Sequence, residues 1–398
     1  MTEVSLAGIQ RAAGELEGIA IRTPMEETRW LSAIEKGPVL LKCENLQRTG
    51  SFKIRGAYVR ISRLSPEERA RGVVAASAGN HAQGVALAAS MLGIRATVFM
   101  PEGAPIPKYN ATIGYGAHVE LVGSDLTQTI EAAIDFAERT GAVMIHPYDN
   151  SDVILGQGTL GLEILEQAPQ AASVLVPTGG GGLLSGVAVA IKSQRPDIKV
   201  IGVQAEMAAA WPTSLAKGHP VQLQSMATMA DGIAVALPGD ACFEPVERYV
   251  DDIITVSEDL IARALVQLLE RAKMVVEPAG ATAVAAVLDH PERFATPTVC
   301  VLSGGNIDPL LMGKLIRQGM AASGRYLHLT VRIPDVPGGL AQLLGELAAA
   351  GVNVLEVGHD RTSNSLRVGE VDVSLQLETR GSEHARAVLD RLGLDQST

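Results

Sequence analysis

Residues 72–100 of the chain read GVVAASAGNHAQGVALAASMLGIRATVFM. Residues 73–76 and 96–100 are short apolar runs that predict buried strands, and residues 81–92 are apolar on every side and predict a helix between them. A strand, a helix and a second strand in this order predict parallel strands in a sheet that helices cover. The stretch therefore predicts an α/β fold.

The same alternation extends towards both ends of the chain. It continues to residue 145, and it resumes after a break that is rich in Gly, Pro and Asp. The further predicted strands are 118–122, 143–145, 173–176, 200–203 and 298–302, and the further predicted helices are 108–113, 126–140, 183–194, 260–273 and 281–288. We expect two α/β lobes, with the binding site in the cleft between them.

The character of the sequence changes near residue 326. From there the predicted order is strand 327–331, helix 340–350, strand 353–357, strand 371–377 and helix 383–392. This order is βαββαβ-like, with a last strand that is short or absent. Residues 319–324, which read GMAASG, are predicted to form the linker.

Composition limits the possible functions. A chain of 398 residues is expected to form two or three domains, and a net charge of −11 argues against a nucleic acid or an acidic membrane as partner. Cys43, Cys242 and Cys300 form no metal-binding pattern and are expected to be reduced and buried. The sequence has no secretory signal and no apolar run long enough to span a bilayer, so a cytoplasmic location is expected.

Lys53 is the candidate catalytic residue. It stands between Phe52 and Ile54 in a segment, 49–57, that is short of acidic side chains. Lysine is normally a solvated surface cation, and this interpretation stays open for Lys53 taken alone. A lysine held away from water loses its proton more readily and becomes a nucleophile towards carbonyl groups.

Four consecutive glycines lie between a predicted strand and a predicted helix. Backbone N–H groups at such a helix start bind phosphate, and the absence of side chains lets the phosphate approach. A flexible turn is the alternative, but ordering four glycines lowers chain entropy without compensation unless something binds. The spacing matches neither a dinucleotide nor a nucleoside triphosphate loop, so a monophosphate cofactor fits better. The residues of this candidate site are Gly179, Gly180, Gly181, Gly182 and Leu183.

A second turn joins a predicted strand to the helix at residue 81. Ser77 is able to cap that helix, and the N–H groups that follow are suited to a carboxylate. Asn80 is short, neutral and able to donate or accept a hydrogen bond, which suits a phenolic oxygen, whereas His81 fits equally well as an ordinary helix residue. The candidate carboxylate-binding residues are Ser77, Ala78, Gly79, Asn80 and His81.

Ser303 follows the predicted strand 298–302, at the edge of the sheet where α/β proteins bind ligands. Its hydroxyl is a neutral partner for a ring nitrogen. A serine that caps a turn is the alternative.

Together these segments resemble the pyridoxal-phosphate enzymes of fold type II, and within them the threonine dehydratase branch. The motifs SFKIRGA, SAGNHAQG, GGGGL and SGGN occur in the family order and at family-like separations. The resemblance implies a two-lobed, tryptophan synthase β-like domain over residues 1–320. In it a small lobe, about 52–145, is inserted in a large lobe of about 1–51 and 146–320.

The resemblance also implies roles for the candidate residues. Lys53 is expected to form the Schiff base with pyridoxal 5′-phosphate, Phe52 to pack beside it and Asn80 to contact its phenolic oxygen. Gly179–Gly182 and Leu183 are expected to cradle the phosphate, and Ser303 to face the pyridine nitrogen. The implied reaction is the dehydration and deamination of L-threonine, or L-serine, to 2-oxobutanoate, or pyruvate, and ammonia.

Residues 326–398 are similar to an ACT domain, a small amino-acid-sensing module with a ferredoxin-like α+β fold. The likeness lies in PGGL at 337–340, GVN at 351–353 and VGHDR at 357–361. It implies allosteric regulation by isoleucine or valine in a cytoplasmic homodimer or homotetramer. The sequence does not separate a role in isoleucine biosynthesis from one in threonine catabolism.

Two alternatives stay open. One is a serine racemase or serine dehydratase of the same fold, and the other is an amino-acid sensor whose catalytic half is inert. Ala78 stands where the racemase has a serine acid/base, and Pro212 stands where a racemase-like metal site after Glu206 would need an acidic group. The sequence therefore predicts slow racemisation and no divalent metal ion.

Overall fold

The computed structural model describes residues 3–362 and 366–394. The chain divides into two compact units, 1–311 and 312–398. The predicted domain bounds, 1–320 and 326–398, and the predicted lobe bounds stay predictions. No described helix is long and apolar enough to cross a bilayer.

The strands of the first unit lie in two sheets. They are β1 (Met25–Glu27), β2 (Val39–Lys42), β3 (Val73–Ala76), β4 (Ala96–Met100), β5 (His118–Leu121), β6 (Val143–Met144), β7 (Ser173–Pro177), β8 (Lys199–Ala205), β9 (Asp252–Val256) and β10 (Thr298–Val301). Within residues 3–311, the larger sheet has the order β1-β2-β10-β7-β8-β9 and the smaller has the order β5-β4-β3-β6. Both are parallel apart from β1, an antiparallel edge strand.

Helices cover these sheets. They are α1 (Leu6–Glu15), α2 (Arg29–Glu35), α3 (Lys53–Ser62), α4 (Pro66–Arg71), α5 (Asn80–Met91), α6 (Ile106–Gly114), α7 (Leu126–Thr140), α8 (Ser151–Gln167), α9 (Gly182–Lys192), α10 (Ala210–Lys217), α11 (Asp240–Tyr249), α12 (Glu258–Gln267) and α13 (Pro278–Asp289). A further helix, α14 (Pro309–Ala322), spans the boundary between the two units. Strands β7 and β10 are buried along their whole length, as expected for a parallel sheet with both faces covered. The predicted α/β class is confirmed.

The topology brings distant segments to one edge. Strand β10 pairs with β2 on one side and with β7 on the other, and all three run in the same direction. Their carboxyl ends therefore meet at one edge, and the loops that follow them lie side by side. Those loops carry Lys53, Ser303 and the four glycines.

The predicted break between residues 145 and 173 is wrong. It contains α8, a helix of 17 residues whose middle is buried. Gly156, Gly158 and Gly161 gave the segment a loop-like composition, but they let α8 lie against α3 and α9. An added Cβ at Gly156 would lie 2.5 Å from the Arg55 carbonyl oxygen, and one at Gly158 would lie 2.8 Å from the Gly186 carbonyl oxygen.

The second unit contains β11 (Tyr326–Pro334), α15 (Gly339–Ala349), β12 (Asn353–Asp360), β13 (Glu370–Glu378) and α16 (Ser382–Leu392). Its antiparallel sheet has the order β11-β13-β12 within the described residues. Alternate residues of β13 are buried, from Val371 to Leu377, and Val373, Leu375 and Leu377 pack with apolar side chains of α15 and α16. The predicted order of strands and helices is confirmed up to residue 392.

The predicted linker at residues 319–324 is wrong in its first four residues. These residues form the last turn of α14, which ends at Ala322. Alanine and methionine favour helix, and a single glycine is tolerated there at a cost of about 1 kcal/mol.

Gly186 provides a test of the close packing between α8 and α9. An added Cβ at Gly186 would lie 2.4 Å from the Ile154 carbonyl oxygen and 2.5 Å from the Gly158 nitrogen. We expect Gly186→Ala to lower the free energy of unfolding by about 1–3 kcal/mol, the usual effect of overpacking. Chemical denaturation measures this change.

Gly14 on α1 is the matched control, since an added Cβ there would meet no atom within 4 Å. Gly14→Ala should be neutral or stabilise the protein by up to about 1 kcal/mol. Equal stability of the two variants would contradict the packing described for Gly186.

Candidate active site

A cleft of about 710 Å³ lies in the first unit between the two sheets. Every residue that the sequence singled out for the site lines this cleft, although the segments come from four separate loops. These residues are Phe52, Lys53, Ser77, Ala78, Gly79, Asn80, His81, Gly179, Gly180, Gly181, Gly182, Leu183 and Ser303.

Lys53 is the first residue of α3, and its amine faces the cleft. Its Nζ donates a hydrogen bond to the Pro147 carbonyl oxygen at 3.0 Å and lies 5.1 Å from the centre of the Phe52 ring. Among the described residues no carboxylate lies within ion-pair distance of this amine. Burial lowers the pKa of Lys53 to about 8, against the opposing charge of Glu277. At pH 7 about a tenth of the amine is therefore uncharged and nucleophilic, a far larger fraction than for a solvated lysine.

A buried ion network fixes the start of α3. Arg55 donates to both carboxylate oxygens of Glu44, at 2.8 and 2.9 Å, and to Glu163 at 2.7 Å. Lys42, at the end of β2, donates to the other oxygen of Glu163 at 2.6 Å. Arg55 and Glu44 are buried, so this network ties the first turn of α3 to β2 and α8 and holds Lys53 at the edge of the sheet.

The glycine loop is closely packed. An added Cβ at Gly180 would lie 2.4 Å from the Tyr148 ring, and one at Gly181 would lie 2.4 Å from the Trp211 ring. Gly181 also has a φ of 104°, in the left-handed region that favours glycine. The Trp211 Nε1 donates to the Gly179 carbonyl oxygen at 2.8 Å. The loop is thus ordered by its neighbours as well as suited to a ligand.

The amino end of α9 opens from this loop into the cleft. First-turn N–H groups of a helix have no acceptor within the helix, and the helix dipole favours negative charge there. The first turn of α9 carries no acidic side chain. This end of the cleft therefore fits a phosphate group.

The amino end of α5 forms a second anion site in the same cleft, and its first turn also lacks acidic side chains. Ser77 does not cap the helix, so the predicted cap is wrong. The helix begins two residues too late for that role, at Asn80, and the Ser77 Oγ instead accepts from the Gly79 nitrogen at 3.1 Å. This turn keeps the N–H groups of the first turn of α5 available to a carboxylate.

His81 is buried and joins α5 to the end of β6. Its Nε2 lies 2.7 Å from the Ile145 carbonyl oxygen and donates to it. Burial, and then the charge of Lys53, lower the pKa of His81 to about 3, so the ring is neutral. The imidazole supports the turn without adding a charge to the cleft.

Asn80 and Ser303 face the cleft from two neighbouring loops. The Asn80 Nδ2 donates to Glu277 Oε1 at 2.7 Å. Ser303 is 3 % exposed, and its carbonyl oxygen accepts from the Phe52 nitrogen at 3.2 Å. This bond brings the serine next to the segment that carries Lys53.

Glu277 was not predicted as a site residue, although it lines the cleft. The residue is 3 % exposed, and burial, followed by the charge of Asp231, raises the pKa of its carboxyl to about 7. Sequence reasoning missed Glu277 because the proline that follows it, Pro278 at the first position of α13, is typical of an ordinary helix start. Lys108 and Asp231, which form an ion pair of 2.7 Å at the cleft, were also missed.

The side chains offer no cluster for a metal ion within residues 3–362 and 366–394. No group of three or more His, Cys, Asp or Glu side chains stands close enough together there to hold one. The expected absence of a divalent metal ion stays a prediction. The three cysteines are free and buried, as predicted.

Comparison with known proteins shows similarity along most of the chain. A family pattern described as pyridoxal-phosphate dependent enzyme matches residues 16–304. An L-threonine ammonia-lyase from Thermotoga maritima is 48 % identical over 385 residues, which cover 97 % of this chain and 96 % of that protein. The similarity to this relative therefore extends into the second unit.

Solved structures share the fold of the first unit. A threonine deaminase from T.th. has a TM-score of 0.73 and 42 % identity, and the match covers 76 % of this chain and 99 % of that one. A maize serine racemase has a TM-score of 0.75 and 34 % identity, and the match covers 80 % of this chain and 99 % of that one. The predicted two-lobed fold type II is thus confirmed.

The pKa of Lys53 provides a test of its surroundings. We expect the rate at which the Lys53 amine of cofactor-free protein is acylated to rise with pH to a midpoint of about 8, because the uncharged amine is the nucleophile. Mass spectrometry of the peptide that contains Lys53 measures this rate. A midpoint at or above about 10, the value of a solvated lysine, would contradict the burial described.

Proposed function

The chain belongs to the family of pyridoxal-phosphate-dependent enzymes, and on that premise we propose that it is an L-threonine ammonia-lyase that also accepts L-serine. Its products would be 2-oxobutanoate from threonine, pyruvate from serine, and ammonia. The observation that carries the proposal is the enclosed Lys53 amine, which faces Asn80, Ser303 and two helix amino ends in one cleft. The name of the Thermotoga relative supports the choice of substrate.

The residues of the cleft fit the cofactor. Gly180 and Gly181 leave no room for side chains beside Tyr148 and Trp211, and the amino end of α9 behind them suits the phosphate. The Lys53 amine has no carboxylate partner within ion-pair distance among the described residues, so it is available to react with the aldehyde group of pyridoxal phosphate. Bound pyridoxal phosphate supplies an electron sink for the pair of electrons left on the substrate Cα.

The residues of the cleft have two tasks in the reaction, to hold the substrate carboxylate and to take the Cα proton. The amino end of α5, from Gly79 to His81, holds the substrate carboxylate and so orients the Cα–H bond. Lys53, once its amine is free, takes the Cα proton as the general base, and its lowered pKa matches this role near neutral pH. The β-hydroxyl leaves as water with a proton that the phosphate of the bound cofactor would supply, and hydrolysis of the released enamine gives the keto acid and ammonia.

Ser303 and Ala78 favour elimination over other outcomes. A neutral Ser303 hydroxyl leaves the ring nitrogen without a proton, which weakens the electron sink and favours prompt loss of the hydroxyl. Ala78 lines the cleft but carries only a methyl group, so it cannot return a proton to the opposite face of Cα. Ala78 argues against serine racemase, the nearest alternative, despite the likeness to the maize enzyme.

A sensor with an inert catalytic half is the alternative from another class. It is disfavoured because Lys53, Asn80, the glycine loop and Ser303 all line one cleft. We also propose a cytoplasmic homo-oligomer. Buried free thiols fit a reducing compartment, and the subunit count rests on the family resemblance alone.

The activity is tested by incubating the cofactor-loaded protein with L-threonine or L-serine and measuring keto acid, ammonia and D-serine. We expect keto acid from both substrates, more efficiently from threonine, and little D-serine. Lys53→Ala should lose the visible absorbance of the bound cofactor and all turnover. Retained lyase activity in Lys53→Ala, or no keto acid from the wild type, would refute the proposal.

We further propose that the second unit is an ACT-like regulatory domain that binds isoleucine or valine. A pocket of about 370 Å³ in this unit is lined by Ile333, Val336, Leu340, Leu344, Asp335 and Arg361. Arg361 and Asp335 form an ion pair of 2.8 Å at its wall. A free amino acid with a branched side chain matches this set, since Arg361 suits its carboxylate, Asp335 its ammonium group and the apolar wall its side chain.

Arg361→Gln should weaken the response of the lyase to its effector by about fivefold or more, within the usual range of allosteric coupling. Initial rates at increasing isoleucine or valine measure the response. Arg332→Gln is the matched control, because Arg332 pairs with Asp372 in the same unit but does not line the pocket. An equal effect of both variants would argue against this pocket.

A further inference from the structure

The side-chain amide of Asn80 has an N–H edge and a C=O edge, and the chemistry of the site depends on which of the two faces the cofactor. The N–H edge donates a hydrogen bond, and the C=O edge only accepts one. A donor stabilises an ionised ring oxygen, whereas an acceptor disfavours it. The contacts of Asn80 decide between these orientations.

The first contact begins at a backbone carbonyl. Asn306 Nδ2 lies 2.6 Å from the Thr49 carbonyl oxygen, which can only accept, so this atom of Asn306 is the donor nitrogen. The same nitrogen lies 2.8 Å from one edge of the Asn80 amide, and that edge must therefore be the oxygen. Thr49 has a φ of 60°, a strained value for a β-branched residue, and this conformation directs its carbonyl at Asn306.

The second contact fixes the other edge. Asn80 Nδ2 donates to Glu277 Oε1 at 2.7 Å, and this carboxyl oxygen accepts whether the group is ionised or neutral. Glu277 stands directly before α13 but makes no side-chain bond to cap that helix. Its buried carboxyl is instead turned towards Asn80.

The surrounding backbone leaves room for these contacts. An added Cβ at Gly304 would lie 2.3 Å from Glu277 Oε1 and 3.0 Å from Asn80 Nδ2. An added Cβ at Gly50 would lie 2.3 Å from Asn306 Oδ1. The series of contacts from Asn306 through Asn80 to Glu277 thus depends on Gly50 at one end and on Gly304 at the other.

We propose that Asn306 and Glu277 are positioning residues, which hold the Asn80 amide with its remaining N–H directed at the ring oxygen of the bound cofactor. Asn306 occupies the oxygen edge, and Glu277 takes one of the two N–H groups. The second N–H is left for the cleft, which Asn80 lines together with Lys53 and Ser303. The inference rests on the proposed function and on the contact between Asn80 and the ring oxygen that the family resemblance implies.

The test uses the absorption spectrum of the full-length, cofactor-loaded protein without substrate. The bound cofactor gives two long-wavelength absorption bands, one from the form with an ionised ring oxygen and one from the form with a protonated ring oxygen. The ratio of these bands measures the ionised fraction. Asn80→Ala, Glu277→Met and Asn306→Asp should each lower the ionised fraction, by about tenfold in the ratio, as expected for one lost hydrogen bond to a charged group. Glu277→Gln keeps an acceptor for Asn80 and should retain the wild-type ratio.

A double variant separates positioning from general damage. If Glu277 acts through Asn80, Glu277→Met should have no further effect on the ratio in an Asn80→Ala background. Thr282→Val is the control for removal of a buried polar group on α13, since the Thr282 hydroxyl donates to the Ala279 carbonyl oxygen within that helix. It should leave the ratio unchanged.

The proposal is overturned if Asn80→Ala changes the ratio while Glu277→Met and Asn306→Asp do not. It is also overturned if Glu277→Met has its full effect without Asn80, or if Asn80→Ala has no effect. Should one variant fail to fold, the variant at the other end of the contact chain still decides the question. Turnover of threonine by the wild type is a separate measurement, so the loss of the proposed substrate and the failure of this inference are distinguishable.

Discussion

The buried guanidinium of Arg55 is the contact on which the geometry of the cleft depends. It lies two residues after Lys53 and between Glu44 and Glu163, and the latter also binds Lys42. Removing these charges from water costs several kcal/mol for each ion, so the network adds little net stability. Loss of one partner would leave a buried charge uncompensated, at a cost of about 3–5 kcal/mol. The ion network therefore acts mainly by fixing position, because it holds the first turn of α3 in a single low-energy position beside the sheet.

Burial in the cleft beside this network disfavours the charged forms of three ionisable groups. Burial lowers the pKa of Lys53 and of His81 and raises that of Glu277, so each group is displaced towards its neutral form. The amino ends of α5 and α9 supply positive potential without a titrating side chain. An anionic cofactor and an anionic substrate carboxylate are thus held by backbone dipoles, and Lys53 stays available as a base.

Much of this arrangement could be predicted from the sequence, where periodicity is strong. The bounds predicted for β3, β4 and α7 agree with the structure, and the motifs SAGNHAQG, GGGGL and SGGN each follow a strand as expected. Helix α8 was missed because its glycines, which allow close packing, resemble loop residues when the neighbouring helices are unknown. Glu277 was missed for a related reason, since its partner Asn80 lies 197 positions away in the chain. Contacts across such distances leave no periodic signal.

The fluorescence of Trp211 reports on occupancy of the glycine loop. Its indole fills the space that Gly181 leaves and donates to the Gly179 carbonyl, so it touches the loop that fits the phosphate. The second of the two tryptophans, Trp30, lies on α2 and does not line the cleft. Energy transfer from the Trp211 indole to a bound chromophore quenches its emission strongly at such short range, whereas Trp30 supplies a reference signal within the same chain. Loading and loss of the cofactor can therefore be followed by fluorescence in the unlabelled protein.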